Sequence, residues 1–438
     1  MTPTRTTRPP VRIVHLGLGG FFRAHQAWYT GAASDAEDWG IAAFTGRSRT
    51  LAEQLTAQDG LYTLVVRGPE RDEMAVQDAL VEAQPGTDLQ TWTASLGRPD
   101  VAVVTLTVTE AAYARARDGG LDLDRPDVRA DLDAFGNGDV ASVPGRLAAG
   151  LAARRAAGGS ALAVVSCDNL PGNGGAVARV VTDFAQAADP TLADWIREQV
   201  SFVTTMVDRI TPHTTEDDVR AVAEQTGWHD AVPVVTEPFT EWILSGDFPA
   251  GRPAWDAAGA RFVDDVHPFE TRKLLLLNGG HSLLAYAGSA RGHETIAAAV
   301  SDPVCRGWLN EWWDEAVRYV PLPASDLAAY RAALLERFAN PRMRHTLAQI
   351  AADGSQKLPI RVLPVLRGER AAGRMPSGAV QAVAAWIDHL RGVGAPLNDA
   401  GAAPFQDRAG SVPGVLALLA PDLADDVDLV TALEHAVR

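Results

Sequence analysis

Ten residues, RKLLLLNGGH from Arg272 to His281, set one lysine, one asparagine and one histidine into an apolar, helix-favouring run, spaced Lys273-x4-Asn278-x2-His281. On an α-helix at about 100° per residue, Asn278 lies about 140° and His281 about 80° around the axis from Lys273, so all three can face one cleft over about two turns. Gly279 and Gly280 add no side-chain bulk, which lets a ligand or another backbone approach closely. A long amine, an amide donor and an imidazole suit the oxidation of an alcohol or the reduction of a carbonyl. The lysine moves the hydroxyl proton, the amide holds the developing oxyanion, and the histidine orients a neighbouring hydroxyl. The same residues also suit a core helix with a snorkelling lysine, a capping asparagine and a buried histidine.

Such a helix needs a partner that binds a redox cofactor, and the N-terminal sequence supplies a candidate. Val11–Leu16 is a short β-branched run that ends at Gly17-Leu18-Gly19-Gly20-Phe21-Phe22-Arg23; a helix is expected over Ala24–Ala33 and a strand over Trp39–Phe44. Strand, glycine turn, helix and strand open a doubly wound, Rossmann-like sheet, in which dinucleotides sit at the carboxyl ends of the strands. Gly17 and Gly19 match the first two glycines of the dinucleotide fingerprint, and Phe22 stands at the third. Gly17, Gly19, Phe21 and Arg23 are therefore candidate cofactor contacts, although Arg23 and His25 fit solvated positions equally well. After the second strand comes Phe44-Thr45-Gly46-Arg47-Ser48-Arg49, with no carboxylate to bind ribose hydroxyls. Arg47 and Ser48 become candidate adenosine contacts, which predicts NAD with tolerance of NADP; two solvated surface arginines are the alternative.

Further strands are expected over Leu61–Val66, Val101–Val108 and Ala161–Val165, with helices over 143–157 and 175–188. After residue 265 the pattern becomes helical, over 269–288, 293–300, 303–318, 325–337, 343–352 and 376–391. The sequence thus predicts an α/β chain: a dinucleotide-binding domain over 1–265 and a mostly α-helical substrate domain over 266–438. The stretch 394–414, rich in Gly, Ala, Pro and Asp, reads as an exposed loop.

Four other polar groups interrupt apolar segments. Ser166-Cys167-Asp168-Asn169-Leu170-Pro171-Gly172-Asn173-Gly174 follows a buried strand, where ligand crevices form in such sheets. Asp208 and Arg209 stand inside Met206–Pro212 and suit either an internal ion pair or a site. Glu110 closes TLTVTE and is a candidate for proton exchange with Lys273, or a solvated strand end. Lys357, in Asp353–Pro359, can hold a polar substrate or sit in water on a turn.

The 438 residues carry 39 basic and 55 acidic side chains, a net charge of −16, which argues against a general affinity for nucleic acid or anionic membrane. The two cysteines, Cys167 and Cys305, form no CxxC pair, so neither a disulfide framework nor a cysteine-built metal site is expected. No apolar run reaches the length of about 18 residues that a membrane span needs, and MTPTRTTRPP has no apolar signal stretch after it. A cytoplasmic protein without a metal, monomeric or a weak homo-oligomer, is the expectation.

Together, IVHLGLGGFFRAHQ, LTVTE, SCDNLPGNG, MVDRITP, EPFTEWIL, KLLLLNGGH and DGSQKLP resemble the long-chain polyol dehydrogenases, the family of mannitol 2-dehydrogenase and fructuronate reductase. They run in family order from residue 13 to 359, so the resemblance covers most of the chain. It implies a metal-free hydride transfer with Lys273 as general acid/base. Asn169 and Asn278 would stabilise the oxyanion, His281 would bind a substrate hydroxyl, and Asp208 would support the site. The implied substrate is a small polyol, ketose or sugar acid, and RHTLAQIAADGSQKLP looks more like fructuronate reductases than like the best-known mannitol enzymes. A sugar-phosphate dehydrogenase remains a rival, through Arg342, Arg344, Lys357 and Arg361. A regulator that binds NAD(P) without turnover is another, disfavoured by an intact Lys273, Asn278 and His281.

Overall fold

Val11–Leu16 (β1) buries its last four residues in succession, and Gly40–Phe44 (β2) buries all five, as strands do when both sheet faces are covered. The computed structural model describes residues 3–46, 48–137 and 140–438. The other strands are Tyr62–Arg67 (β3), Asp72–Gln77 (β4), Leu80–Gln84 (β5), Val103–Leu106 (β6), Leu162–Ser166 (β7), Val200–Asp208 (β8), Val234–Thr236 (β9), Glu241–Ser245 (β10) and Arg261–Phe262 (β11). Eight of them form one sheet in the order β11-β10-β8-β7-β6-β1-β2-β5. From β5 to β8 every pairing is parallel, and β10 then runs antiparallel to β8. Numbered among themselves, those six parallel strands lie in the order 3-2-1-4-5-6, the doubly wound arrangement whose direction of winding reverses between β1 and β6.

Side chains alternate between two cores, as the period of two along a strand requires. Ile13, Ala43, Val103 and Val165 face one core with Phe22, Trp242 and Trp255, while Val14, Ala42, Val104 and Val164 face the other with Leu147, Val177 and Phe184.

Three sequence expectations for this part of the chain change. The run around Leu61–Val66 does form a strand, but β3 lies in a separate sheet, β4-β3-β9, and β5 takes the third place in the main one. The strand expected over Val101–Val108 is paired only from Val103 to Leu106, because its partner β1 ends at Leu16 and the chain turns away at Gly17. The helix expected over Ala24–Ala33 is two short ones, Gly20–Ala24 and Gln26–Gly31. They break at His25 (φ −120°, ψ −84°), whose ring hydrogen-bonds the Glu241 carbonyl at 3.1 Å.

The chain divides into two compact units, Met1–His267 and Pro268–Arg438. In the second, His267–Arg272 leads into a π-helix, Lys273–Gly279, and then into the α-helix Gly280–Ala290. Gly280–Ala290 packs against Pro303–Ala316 and Ser377–Leu390. Both Gly280–Ala290 and Ser377–Leu390 are buried on nearly every face, which makes them the centre of the unit. The segment 394–414 is not a plain exposed loop. It contains the helix Ala403–Gln406 and the start of Val412–Leu419, and it buries Ala395, Ala402 and Ala409. Prolines in the first turns and the Ser411 side chain, which accepts from the Gly414 N–H, allow helices there. The pattern over 343–352 narrows to Leu347–Ala351, after Arg344 takes a left-handed conformation (φ 47°). Among the described residues no helix is long and apolar enough to cross a membrane.

Candidate active site

The glycine turn sits at the carboxyl end of β1, where the winding of the sheet reverses. Gly17 has φ 111°, and a Cβ there would lie 2.0 Å from the Thr107 carbonyl oxygen, so the position tolerates no side chain. The N–H groups of Gly17 and Leu18 both donate to the Phe44 carbonyl, at 2.9 and 2.8 Å, and tie the turn to the end of β2. Gly19 differs: a Cβ would meet nothing closer than the Gly17 oxygen at 3.5 Å. Its smallness serves no internal packing and leaves room for a ligand outside.

Phe22, at the third fingerprint position, is buried and stacks on His15 with ring centroids 3.6 Å apart. Burial holds His15 neutral, pushing it down to about 3, and its ring hydrogen-bonds the hydroxyls of Thr105 and Thr107. An aromatic pair therefore fills the space that a third glycine would close by direct helix–strand approach. Phe21 is half-buried and stacks on His25. Arg23 is buried, with its guanidinium donating to the carbonyls of Gly19 and Val232; burial pushes it down to about 10. It braces the turn from beneath. A cavity of about 480 Å³ opens beside the turn, lined by Gly20, Phe21, Arg23, Thr211, Thr215 and Val234 among others. Past the end of β2, Ser48 is exposed and its Oγ accepts from the Thr50 N–H at 3.3 Å. Arg47 lies outside the described residues.

A second group forms after β7. Asn169 is exposed, and its neighbour Asp168 is buried. One Asp168 oxygen accepts from the Val108 N–H at 2.5 Å, and the other accepts from Tyr113 Oη and from Ser166 Oγ at 3.1 Å. Desolvation outweighs these donors and raises Asp168 to about 6. The carboxyl thus pins the exit of β6 to the exit of β7. Asn173 secures the other end of the loop: its amide donates to the carbonyls of Asp168 and Thr205 and accepts from the Thr205 N–H. Gly174 lets this loop press against β8, since a Cβ would meet the Thr204 nitrogen at 2.6 Å. Asn169 is therefore presented from a loop anchored on both sides. Asp208 ends β8 and is buried, and the Arg209 guanidinium donates to the carbonyls of Ala24 and Glu237. Glu110 is exposed, in a 3-10 turn past the end of β6 rather than within a strand.

In the second unit, the π-helix changes the geometry that the sequence suggested for KLLLLNGGH. Its hydrogen bonding runs from each residue to the fifth one on, so a residue's fifth successor sits one turn above it. Lys273 and Asn278 are five apart. On an α-helix they would diverge by about 140°; on this turn they come round to one face. Both are half-buried, while Leu275, Leu276 and Leu277 face the core. His281 lies in the first turn of the following helix, 7% exposed, with its ring stacked on Phe338 at 4.6 Å and edge-on to His345 at 4.9 Å. Burial, then the neighbouring His345, Arg337 and Arg361, hold it neutral, and its buried Nε2 has no hydrogen-bond partner among the described residues. Lys357 lies on Gly354–Arg361, which packs on the π-helix, and its amine donates to the Ile350 carbonyl at 3.2 Å. Burial and then Arg361 lower its pKa. The second unit so gathers an amine, an amide, a neutral imidazole with an unpaired, buried nitrogen, and a second amine. Such a set can exchange a proton with a hydroxyl and hold its neighbours.

Sequence reasoning did not find the supports. Tyr113 carried no local signal, and Asp168 and Asn173 were visible only as parts of a polar cluster. Trp312 and Trp313, whose indoles reach the carbonyls of the π-helix, are not singled out by the sequence at all. One group with metal-ligand spacing, His293, Asp302 and Cys305, occurs among the described residues. Its carboxylate already bonds Arg291 at 2.6 Å, His293 at 2.9 Å and the Val304 N–H at 2.8 Å, as an ion-paired helix cap.

The family model of the mannitol dehydrogenase Rossmann domain matches residues 11–257, and that of the mannitol dehydrogenase C-terminal domain matches residues 265–436. A D-mannonate oxidoreductase of Escherichia coli (strain K12) is 40% identical, over 98% of this chain and 92% of that protein. Pseudomonas fluorescens mannitol 2-dehydrogenase, solved as a ternary complex with NAD and D-mannitol, superposes with a TM-score of 0.81 at 34% identity, over 98% of this chain and 91% of that one. A D-sorbitol dehydrogenase in substrate-free form gives 0.90 at 30% identity, over 99% and 95%. With two domain models matched in order along nearly the whole length, and relatives that align from end to end, the chain belongs to the mannitol dehydrogenase family.

Proposed function

We propose that the protein is an NAD-dependent oxidoreductase that interconverts a linear polyol or sugar acid, of mannitol or mannonate type, with its 2-keto form. The observation that carries this reading is the placing of Lys273 and Asn278 on one face of a π-turn, with the unpaired nitrogen of His281 on the helix that follows. The first unit fits a dinucleotide. Its six parallel strands have the required order, its glycine turn stands at the switch point, and Gly19 leaves space that no internal group uses. Bound NAD supplies the hydride acceptor, and NADH the donor.

The chain's own residues supply the rest. In oxidation Lys273 Nζ takes the hydroxyl proton as the C–O bond becomes a carbonyl; in reduction it returns that proton to the oxygen. Its amine must be neutral to act as the base, which requires a pKa below the ordinary value of about 10.4. Asn278 donates an N–H bond to the oxygen as negative charge gathers there; for Asn169 an oxyanion role is what the family resemblance implies. His281, held neutral, offers its free nitrogen to a neighbouring hydroxyl, and Lys357 suits the distal end of the substrate, a carboxylate included. Asp208 and Glu110 are supporting polar groups, and Gly17, Gly19, Phe21, Arg23 and Ser48 form or brace the cofactor-side surface. Residues 1–265 hold the dinucleotide and 266–438 the substrate.

The test is Lys273→Ala. Turnover with the best substrate, among mannitol, mannonate, fructose and fructuronate, should fall by about 10² or more, while NAD affinity measured by calorimetry stays within about twofold. Near-normal turnover across the pH range would reject the reading.

A further inference from the structure

Two neighbouring tryptophans hold the turn on which the proposed chemistry depends. Trp312 and Trp313 are fully buried on Pro303–Ala316; the Trp312 indole N–H donates to the Leu275 carbonyl and the Trp313 indole N–H to the Leu276 carbonyl, each at 2.9 Å. Gly280 N–H reaches the carbonyls of Leu276 and Leu277, so the Leu275 carbonyl takes the indole instead. A π-turn is disfavoured relative to the α-helix and persists only where something else satisfies or enforces it. Two side-chain donors on consecutive carbonyls do so here.

Close packing fixes the same register. A Cβ on Gly279 would lie 2.5 Å from the Trp312 ring, and one on Gly280 would lie 3.0 Å from Leu309. The tryptophans are themselves held. Glu315, two residues on, accepts from the N–H groups of Gly378 and Ala379, and Gly378 lets Ser377–Leu390 touch the Trp312 backbone. Trp313 also packs on Phe338, the ring that stacks on His281.

We propose that Trp312 and Trp313 are positioning residues for the proton-transfer and oxyanion groups: their indole N–H groups hold segment 273–279 in the π-form that brings Lys273 and Asn278 to one face. Without them the segment relaxes toward an α-helix, and the two side chains diverge by about 140°. This rests on the functional reading above, because it assigns the tryptophans a role through Lys273 and Asn278.

The experiment replaces both indoles by benzyl rings, Trp312→Phe with Trp313→Phe, which removes the N–H donors and keeps most of the ring. Trp308→Phe, half-buried on the same helix, is the control. The double variant should lose about 10- to 100-fold in kcat, the scale of a misplacement of about 1 Å. Substrate KM should stay within about threefold and NAD affinity by calorimetry within about twofold. The control should keep its kcat. Should the double variant not accumulate, each single variant is measured, with a loss of about threefold or more expected. Repeating the pair in the Lys273→Ala background separates positioning from general damage: the further loss should be clearly smaller than in the wild-type background, because one of the two groups being positioned is gone. A folded variant with unchanged kcat overturns the proposal, and so does a loss that recurs undiminished in the Lys273→Ala background. If Lys273→Ala itself leaves turnover intact, the functional reading falls first.

Discussion

Asp168→Asn offers a test of how the loop carrying Asn169 is held. The wild-type carboxyl is 5% exposed and raised from its ordinary 3.8 to about 6, with desolvation the largest cause. Because the folded value lies above the unfolded one, this group favours the fold below pH 3.8, and that contribution is lost as pH rises through about 6. At 1.36 kcal/mol per pH unit, the full penalty for the buried carboxylate is about 3 kcal/mol. About 1.6 kcal/mol of it is present at pH 5 and nearly all at pH 8, a growth of about 1.4 kcal/mol. An asparagine carries no such penalty. Its oxygen can still accept from the Val108 N–H, and its amide can donate to Tyr113 and Ser166, whose hydroxyls can turn to accept. Whatever offset separates variant from wild type at pH 5 should therefore move in the variant's favour by about 1.4 kcal/mol at pH 8. For a unit of this size that corresponds to about 3–5 °C in melting temperature. Thermal melts of both proteins at matched scan rates from pH 5 to 8 measure it. An offset that does not change with pH, or one that moves in favour of the wild type, would refute the burial argument.

Three further outcomes follow from the first unit and from the proposed chemistry. Gly17→Ala should cost at least about 3 kcal/mol in stability, whereas Gly19→Ala should melt within about 2 °C of wild type and weaken NAD about tenfold or more by calorimetry. Ser48→Asp should lower kcat/KM with NADP by about 10- to 100-fold, from like-charge repulsion near the adenosine ribose, and change that with NAD far less. An equal loss with both cofactors would remove Ser48 from the ribose site. Prolonged chelation followed by desalting should leave turnover unchanged, since lysine and amide groups polarise the substrate without a Lewis acid. Inactivation reversed by added zinc would contradict that.

The elements that carry cofactor chemistry were legible because they are local. A β-branched run, a glycine turn and an apolar strand specify the opening of the sheet within about 35 residues. What stayed hidden depended on distant partners. The leucines of Leu274–Leu277 carry no phase, so their sequence fits an α-helix and a π-helix equally; the choice is made by Trp312 and Trp313, which arrive later in the chain. Asp168 read as one member of a polar cluster at a ligand crevice, and only Val108 and Tyr113 show it to be an anchor. Arg23 read as a cofactor contact from its place after the glycines, yet its guanidinium bonds Val232, far along the chain. The alanines of 394–414 counted as loop by the company they keep with Gly and Pro, although three of them are buried.

The small sheet β4-β3-β9 sets a timetable for biosynthesis. β3 and β4 are hairpin neighbours, but the parallel partner of β3 emerges about 170 residues later, Leu64 pairing with Val234. At translation rates of about 5–20 residues per second, the hairpin waits about 10–30 s for β9. Through that interval Thr63 also lacks the Asp230 carboxylate that accepts its N–H, and one edge of β3 stays open. A two-stranded hairpin is marginal by itself, and an unpaired edge invites other chains. The nascent protein is therefore most vulnerable to aggregation before its first unit is complete. A ribosome stalled short of β9 should hold a chain that proteases cut between β3 and β5, and one stalled well past it should not.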